Sequence, residues 1–356
     1  IRSLRRLPSL APTGGEDLPG VSVVIAARDE EARIETTVRG LLGQQGVRLE
    51  VIVVNDRSRD GTGKILERLA AEDPRLKAVR LEEVPPGWLG KCYACHRGSQ
   101  EAGGEWLLFT DGDIWMTPDL LARAIRTARQ EGAAHLALLP GVREGSILGK
   151  ACQLIFFIGQ ARMASQVNQD RPGAHLGSGA FNLVRADTYR AVGGYETLRL
   201  TVLDDLKLSL LLRRAGRRSR LFVGRGELEA DWAPTLPGMI KALEKNHFAV
   251  VHFRLLPVLL TVLLVGSLWS AAVVGPWGGS VAGMAAGVGL CSLILPAALA
   301  ARRFGWPRTA AVLAPFILPV LLVSLVNSTV VTLLRRGIWW RDTFYPLAIL
   351  RTGGIR

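Results

Sequence analysis

Leu107-Leu108-Phe109-Thr110-Asp111-Gly112-Asp113 is an apolar run that stops abruptly in two carboxylates with one glycine between them. The run reads as a buried strand delivering acid to a cleft. In an extended segment side chains alternate faces, so Asp111 and Asp113 would point the same way and reach one cation. Hard divalent ions that carry substrate phosphates are held by one or two carboxylates and water rather than by a full protein cage. The rival reading is an ordinary turn, which two aspartates around a glycine also make. The flanking sequence bears on that choice.

Upstream, Val21-Ser22-Val23-Val24-Ile25-Ala26 is a β-branched run that ends at Arg28-Asp29-Glu30-Glu31, ahead of a helix through Ile34, Val38 and Leu41. Leu49 to Val54 repeats the pattern and closes in Asn55-Asp56-Arg57. A helix through Ile65, Leu66 and Leu69, a strand over 76–81 and a helix over 93–102 lead to Leu107. Strands alternating with helices predict βαβ units and a mostly parallel, Rossmann-like α/β sheet. Ligands of such sheets sit beyond the carboxyl ends of the strands. Asp29, Asp56 and the Asp111/Asp113 pair all fall at that edge. There is no G-x-G-x-x-G after the first strand and no Walker loop. An acid-lined nucleotide site without a glycine phosphate loop needs another source of positive charge. A metal ion on Asp111 and Asp113, assisted by Lys91, supplies it.

VSVVIAARDEE, VIVVNDRSRDGT, PPGWLGKCYACHRG and LLFTDGDIWMTPD resemble, in order and spacing, the family 2 glycosyltransferases of GT-A fold. Gly87-Trp88-Leu89-Gly90-Lys91 looks most like the branch acting on hopanoid, carotenoid and ceramide-like lipids. The resemblance covers roughly residues 20 to 255. It implies that Asp29 and Asp56 hold the uridine of a UDP-sugar, that Asp111 and Asp113 hold the metal diphosphate with Mg²⁺ or Mn²⁺, and that Lys91 lies near the phosphates. It also gives Cys92 and Cys95 a place on a helix after the glycine-lysine turn. That stands against the haem, redox or zinc reading of Cys92-Tyr93-Ala94-Cys95-His96.

Further along, His135 to Leu139 reads as a strand with His135 at its edge rather than as a catalyst, and Ile147 to Met163 as a core or an interfacial helix. Gly177-Ser178-Gly179 suggests backbone close to a ligand, or tight turns. The resemblance places this loop beside the donor sugar and acceptor. Asp204 and Asp205 open a helix, where paired acids commonly cap. Glycosyl transfer also needs a carboxylate to take a proton from the attacking hydroxyl. The resemblance assigns that base to Asp205, with Asp204 as its neighbour, and implies inversion in a single displacement. The Q-x-x-R-W motif of many membrane synthases is missing from 239–248, which favours transfer of one sugar. In that stretch Lys241, Lys245 and His247 read as a solvated interfacial face rather than as phosphate ligands.

Residues 255–274 and 281–300 are each long enough to cross a bilayer and carry no charge. Arg254, Arg302, Arg303 and Arg308 flank them, so the positive-inside rule predicts a hairpin with the catalytic domain on the cytoplasmic face of a multi-pass cell-membrane protein. Residues 310–334 hold Pro315, Pro319, Asn327 and Ser328 and read as spanning or, preferably, re-entrant. Ile338 to Tyr345 resembles a W-R-x-x-x-Y element of ceramide-type enzymes at the cytosolic face, or else a belt of interface aromatics. The net charge of +13 collects beside apolar segments without interleaved aromatics, which suits anionic headgroups better than nucleic acid. Four cysteines make no disulfide framework in a chain of 356 residues.

The expected organisation is a juxtamembrane segment over 1–19, with room for a membrane helix ahead of it, and a GT-A domain over 20–235. An interfacial amphipathic segment over 236–254, a transmembrane region over 255–334 and a cytosolic tail over 335–356 follow. The expected activity is transfer of a hexose from a UDP-sugar to a membrane lipid. A polyprenyl phosphate or polysaccharide acceptor is the enzyme alternative, and a catalytically silent nucleotide-binding scaffold is the alternative of another class.

Overall fold

The β-branched runs that end in acid fold as parallel neighbours in one sheet. The structure is a computed structural model that describes residues 5–6, 18–142 and 145–355, so most of the 1–19 segment lies outside the described residues. Its strands are β1 (Arg5–Arg6), β2 (Val21–Ala27), β3 (Leu49–Asp56), β4 (Leu76–Leu81), β5 (Trp106–Thr110) and β6 (Ile114–Met116), then β7 (His135–Val142), β8 (Asn182–Arg185), β9 (Ser219–Ala230), β10 (Gly337–Trp340) and β11 (Thr343–Pro346). The helices of the catalytic region are α1 (Ile34–Leu42), α2 (Thr62–Glu72), α3 (Gly90–Gln100), α4 (Leu120–Gln130), α5 (Ile147–Asn168), α6 (Ala186–Ala191), α7 (Gly194–Thr197) and α8 (Asp204–Arg214). Then come α9 (Leu236–Leu243), α10 (His247–Val250), α11 (Leu255–Val274), α12 (Val281–Ser292), α13 (Ile294–Phe304), α14 (Arg308–Arg335) and α15 (Leu347–Gly353).

The large sheet has the order β1-β9-β7-β8-β5-β2-β3-β4, with β6 paired to β9. Its β5-β2-β3-β4 half is parallel, and β8 runs antiparallel to both β5 and β7. Alternation along the strands sends Val21, Val23 and Ile25 to one face with Ile34, Val38, Leu66 and Leu121. Val24, Ile52, Leu107 and Phe109 go to the other face with Cys92, Cys95, Tyr195 and Leu208. A sheet covered on both faces explains why these strands read as continuous apolar runs.

Three helical stretches, Leu255–Gly278, Val281–Arg302 and Arg308–Arg335, are long and apolar enough to cross a membrane. Leu256, Leu260, Leu263, Leu264, Val281 and Val288 are exposed on them. Apolar surface of this extent is stable against lipid, not water.

The expected break in 310–334 does not occur: α14 is one continuous helix through Pro315 and Pro319. A helical proline strips the carbonyl four residues earlier of its donor. For Pro319 that carbonyl is Pro315 O, and Trp269 Nε1 on α11 donates to it at 3.1 Å. The buried stripe of α14 is small: Ala310, Ala311, Ala314, Ser324, Ser328, Thr329 and Thr332. Small residues let it approach α5, α9 and α10 closely. Ser328 Oγ donates to Glu244 O and accepts from Phe248 N. Arg335 ends the helix 3.4 Å from Glu244, so the basic end that argued against simple spanning stays tied to the catalytic region.

Candidate active site

Each acid that the sequence placed at the strand ends lies there. Asp29 and Asp56 follow β2 and close β3, with Arg28 between them: its guanidinium is 4.0 Å from Asp29 and 3.7 Å from Asp56. Asp29 adopts φ 54, a left-handed conformation that Asp tolerates, and Oδ1 accepts from Arg59 N at 2.8 Å. Asp56 is buried, and Oδ1 also accepts from Arg57 Nε at 2.8 Å.

Asp111 and Asp113 flank a turn between β5 and β6, not an extended strand as expected. After Thr110 the chain must leave β2 and β8, the neighbours of β5, because β6 pairs with β9 instead. Thr37 Oγ1 fixes the turn by donating to Gly112 O at 2.9 Å and to Ile114 O at 3.1 Å. The two carboxylates still interact, since burial, then Asp111 and Glu30, push Asp113 up to about 6. For Asp111, burial opposes ionisation, but Lys91 Nζ at 2.7 Å more than offsets it and holds the carboxyl below its usual range. Asp111 also keeps 41% of its side-chain surface accessible, so a ligand can reach it. Among the described residues no three Asp, Glu, His or Cys cluster tightly enough to cage a metal. Two crowded carboxylates, one of them solvent-accessible, fit a hard ion that completes its shell with phosphate and water.

The glycine loop explains how the second acidic pair reaches this point. A side chain at Gly177 would collide with Asp205 O, and a Cβ at Gly179 would lie 2.7 Å from Asp111 Oδ2. Only bare backbone fits between them. Ser178 is buried in the same loop. Neither acid is the cap of α8, whose N-cap is Leu203 without a side-chain cap bond. Asp204 is buried and accepts from Tyr195 Oη at 2.9 Å, 4.0 Å from Lys91 Nζ. The Asp205 carboxylate accepts from the adjacent Leu206 N at 2.8 Å. Burial and the neighbouring Asp204 push its carboxyl up to about 6.

His135 opens β7 as predicted, yet it is fully buried rather than an edge residue. Burial pushes its pKa down to about 4, so the ring is neutral and Nε2 donates to Asn182 Oδ1 at 2.5 Å. Asn182 Nδ2 in turn donates to Asp205 O at 3.3 Å. His135→Leu leaves Asn182 Oδ1 without its donor, and the expected destabilisation is about 1–3 kcal/mol. Thermal unfolding of the purified variant checks it; an unchanged Tm would show the bond to be dispensable.

Two parts of the site escaped the sequence reading. Lys245 is no solvated face residue: its ammonium sits 3.6 Å from the Trp340 ring centroid. Burial, then Lys91, push it down to about 8, while Asp204 and Asp111 act in the opposite direction. The other part is the β10–β11 hairpin, which reaches the strand-end acids from the far end of the chain. Arg341 donates to Glu30 Oε1 at 2.6 Å, Asp342 accepts from Arg28 at 2.9 Å, and Gly90 N donates to Tyr345 Oη at 2.9 Å. The W-R-x-x-x-Y pattern was visible, but nothing local tells which surface a hairpin covers. Cys92 and Cys95 pack in the core with their thiols pushed up, Cys95 to about 12, as suits a helix face and not a ligand pair.

Residues 22–193 match Glycosyl transferase family 2. A 4,4'-diaponeurosporenoate glycosyltransferase of Staphylococcus haemolyticus is 25% identical over 239 residues, 64% of this chain and 62% of that protein. The succinoglycan biosynthesis protein ExoO of Rhizobium meliloti is 33% identical over 122 residues, 34% of this chain and 33% of its own. These matches thus span less than two thirds of either relative. The mannosyltransferase PcManGT from Pyrobaculum calidifontis, solved in complex with GDP-Man and Mn²⁺, shares the fold with a TM-score of 0.56 at 20% identity, covering 90% of this chain and 89% of that one. Residues 22–193 thus match the glycosyl transferase family 2 domain, and the chain has a GT-A-like fold followed by apolar helices.

Proposed function

We propose that this chain transfers a hexose, with inversion, from a UDP-sugar to a hydroxyl or carboxyl of a membrane lipid. The observation that carries the reading is the meeting at Lys91 of two acidic pairs far apart in sequence. Asp111 lies 2.7 Å from Lys91 Nζ and Asp204 4.0 Å from it, with Asp205 the next residue. Asp29 and Asp56 serve the nucleoside, while Asp111 and Asp113, with Mg²⁺ or Mn²⁺, receive the diphosphate beside Lys91. The ion, when bound, neutralises the leaving diphosphate, so no protein acid is needed there. Asp204, held by Tyr195, keeps the electrostatic environment in which Asp205 takes the acceptor proton. Gly177, Ser178 and Gly179 let the donor sugar lie against backbone between the two acidic pairs.

The lipid acceptor is supported by the three apolar helices packed around the catalytic region and by the carotenoid-type relative. The exposed apolar face of α11 and α12 would seat the protein in the cell membrane as a multi-pass chain, its catalytic domain on the cytoplasmic side where nucleotide sugars are made. The divalent ion is supported by the crowded Asp111/Asp113 pair and by the Mn²⁺ of the Pyrobaculum structure. The test is nucleoside diphosphate release by the purified full chain with UDP-sugars and GDP-mannose, against lipid extracts and polyprenyl phosphate. A glycolipid product from a UDP-sugar is expected. Nucleotide binding without turnover on any acceptor would sink the enzymatic reading in favour of a silent scaffold.

A further inference from the structure

The β10–β11 hairpin leaves only Arg341 and Asp342 to reverse the chain between Trp340 and Thr343. Two-residue turns take Asn-Gly or Asp-Gly because they need positive φ. Arg341 sits at φ 52, a conformation that costs a side-chain-bearing residue energy and persists where the surroundings demand it. Both turn residues are committed to donor-site charges. Arg341 bonds Glu30, and Asp342 lies 2.9 Å from Arg28 and 3.3 Å from Arg59. The base of the hairpin is pinned as well, by Tyr345 on Gly90 N and by Lys245 over Trp340.

Burial raises the Glu30 carboxyl, Arg341 and Arg33 pull it back, and Asp111 adds to the rise, so Arg341 holds a carboxylate that its burial works against. Arg341 meanwhile keeps 46% of its side-chain surface accessible and spends one guanidinium nitrogen on Glu30, with further donors in the fork. An entering diphosphate offers more negative charge and the bidentate geometry that guanidinium matches best.

On the donor-site reading above, we propose that Arg341 is a diphosphate ligand carried in by the C-terminal hairpin, exchanging Glu30 for a phosphate oxygen when a nucleoside diphosphate enters. Lys245, on the same wall, is the second cation of that ligand set. Because β10 follows α14 directly, the apolar helices and the donor pocket share one continuous piece of chain.

The test is calorimetric titration of the full chain in detergent micelles with UDP and Mn²⁺, comparing wild type, Arg341→Ala and Glu30→Gln. Both substitutions break the same ion pair, so a merely structural pair predicts the same change from either side. The proposal predicts opposite signs. Arg341→Ala should weaken UDP about tenfold or more, the size of one charge-assisted hydrogen bond, and UMP distinctly less. Glu30→Gln, which removes the competitor, should leave UDP binding equal or tighter. Arg341→Ala with wild-type affinity, or Glu30→Gln that weakens UDP, overturns the proposal while the donor site stands. If Arg341→Ala does not fold, Glu30→Gln decides alone by the same sign. A wild-type chain that binds neither UDP nor GDP overturns the donor site and the proposal together.

Discussion

Asp205→Asn is expected to abolish transfer while leaving donor binding intact. A positioned general base contributes about 10²–10⁴-fold, and the amide cannot accept the acceptor's proton, so kcat should fall by that factor. Donor affinity should hold, because the substitution leaves both partners of the 2.7 Å Lys91–Asp111 contact in place. The pH profile gives an independent check. Burial and Asp204 raise the Asp205 carboxyl to about 6. A base works only when deprotonated, so wild-type kcat should rise with pH through about 6 and level off above it. In the asparagine variant that limb should vanish from the residual rate. A flat wild-type profile across that range would remove Asp205 from the role.

Asp111→Asn is expected to fail one step earlier, at binding. It removes the carboxylate that faces Lys91 and, on the proposed reading, half of the protein's contribution to the metal site. Titration with UDP in the presence and absence of Mn²⁺ should show the metal-dependent gain in affinity lost, by about a hundredfold, since metal coordination contributes several kcal/mol. Lys91 also loses its nearest acid and turns toward Asp204, 4.0 Å away. The contrast between the two variants is the informative result: one binds without turning over, the other loses the metal-dependent part of its binding. Metal-dependent UDP affinity at the wild-type level in Asp111→Asn would mean that the diphosphate lies elsewhere.

The strands were legible because a parallel sheet covered on both faces writes itself as β-branched runs, and Val21, Leu49 and Leu76 each begin a strand where that pattern begins. The acids at their ends were legible for the same reason: an abrupt change from apolar to carboxylate marks where a strand leaves the core. The apolar helices were legible from length and composition alone. Three things were not. The turn at Asp111–Asp113 depends on β6 pairing with β9, a partner more than a hundred residues later. The continuity of α14 depends on Trp269 satisfying the carbonyl that Pro319 strips of its donor. The hairpin at the donor edge depends on Arg341 meeting Glu30, 311 positions away. The sequence alone therefore determined which elements form and which of them end in acid, because periodicity and composition are local properties. Only tertiary structure decided which distant cations those acids face, because an ion pair in space leaves no mark on the spacing of either partner.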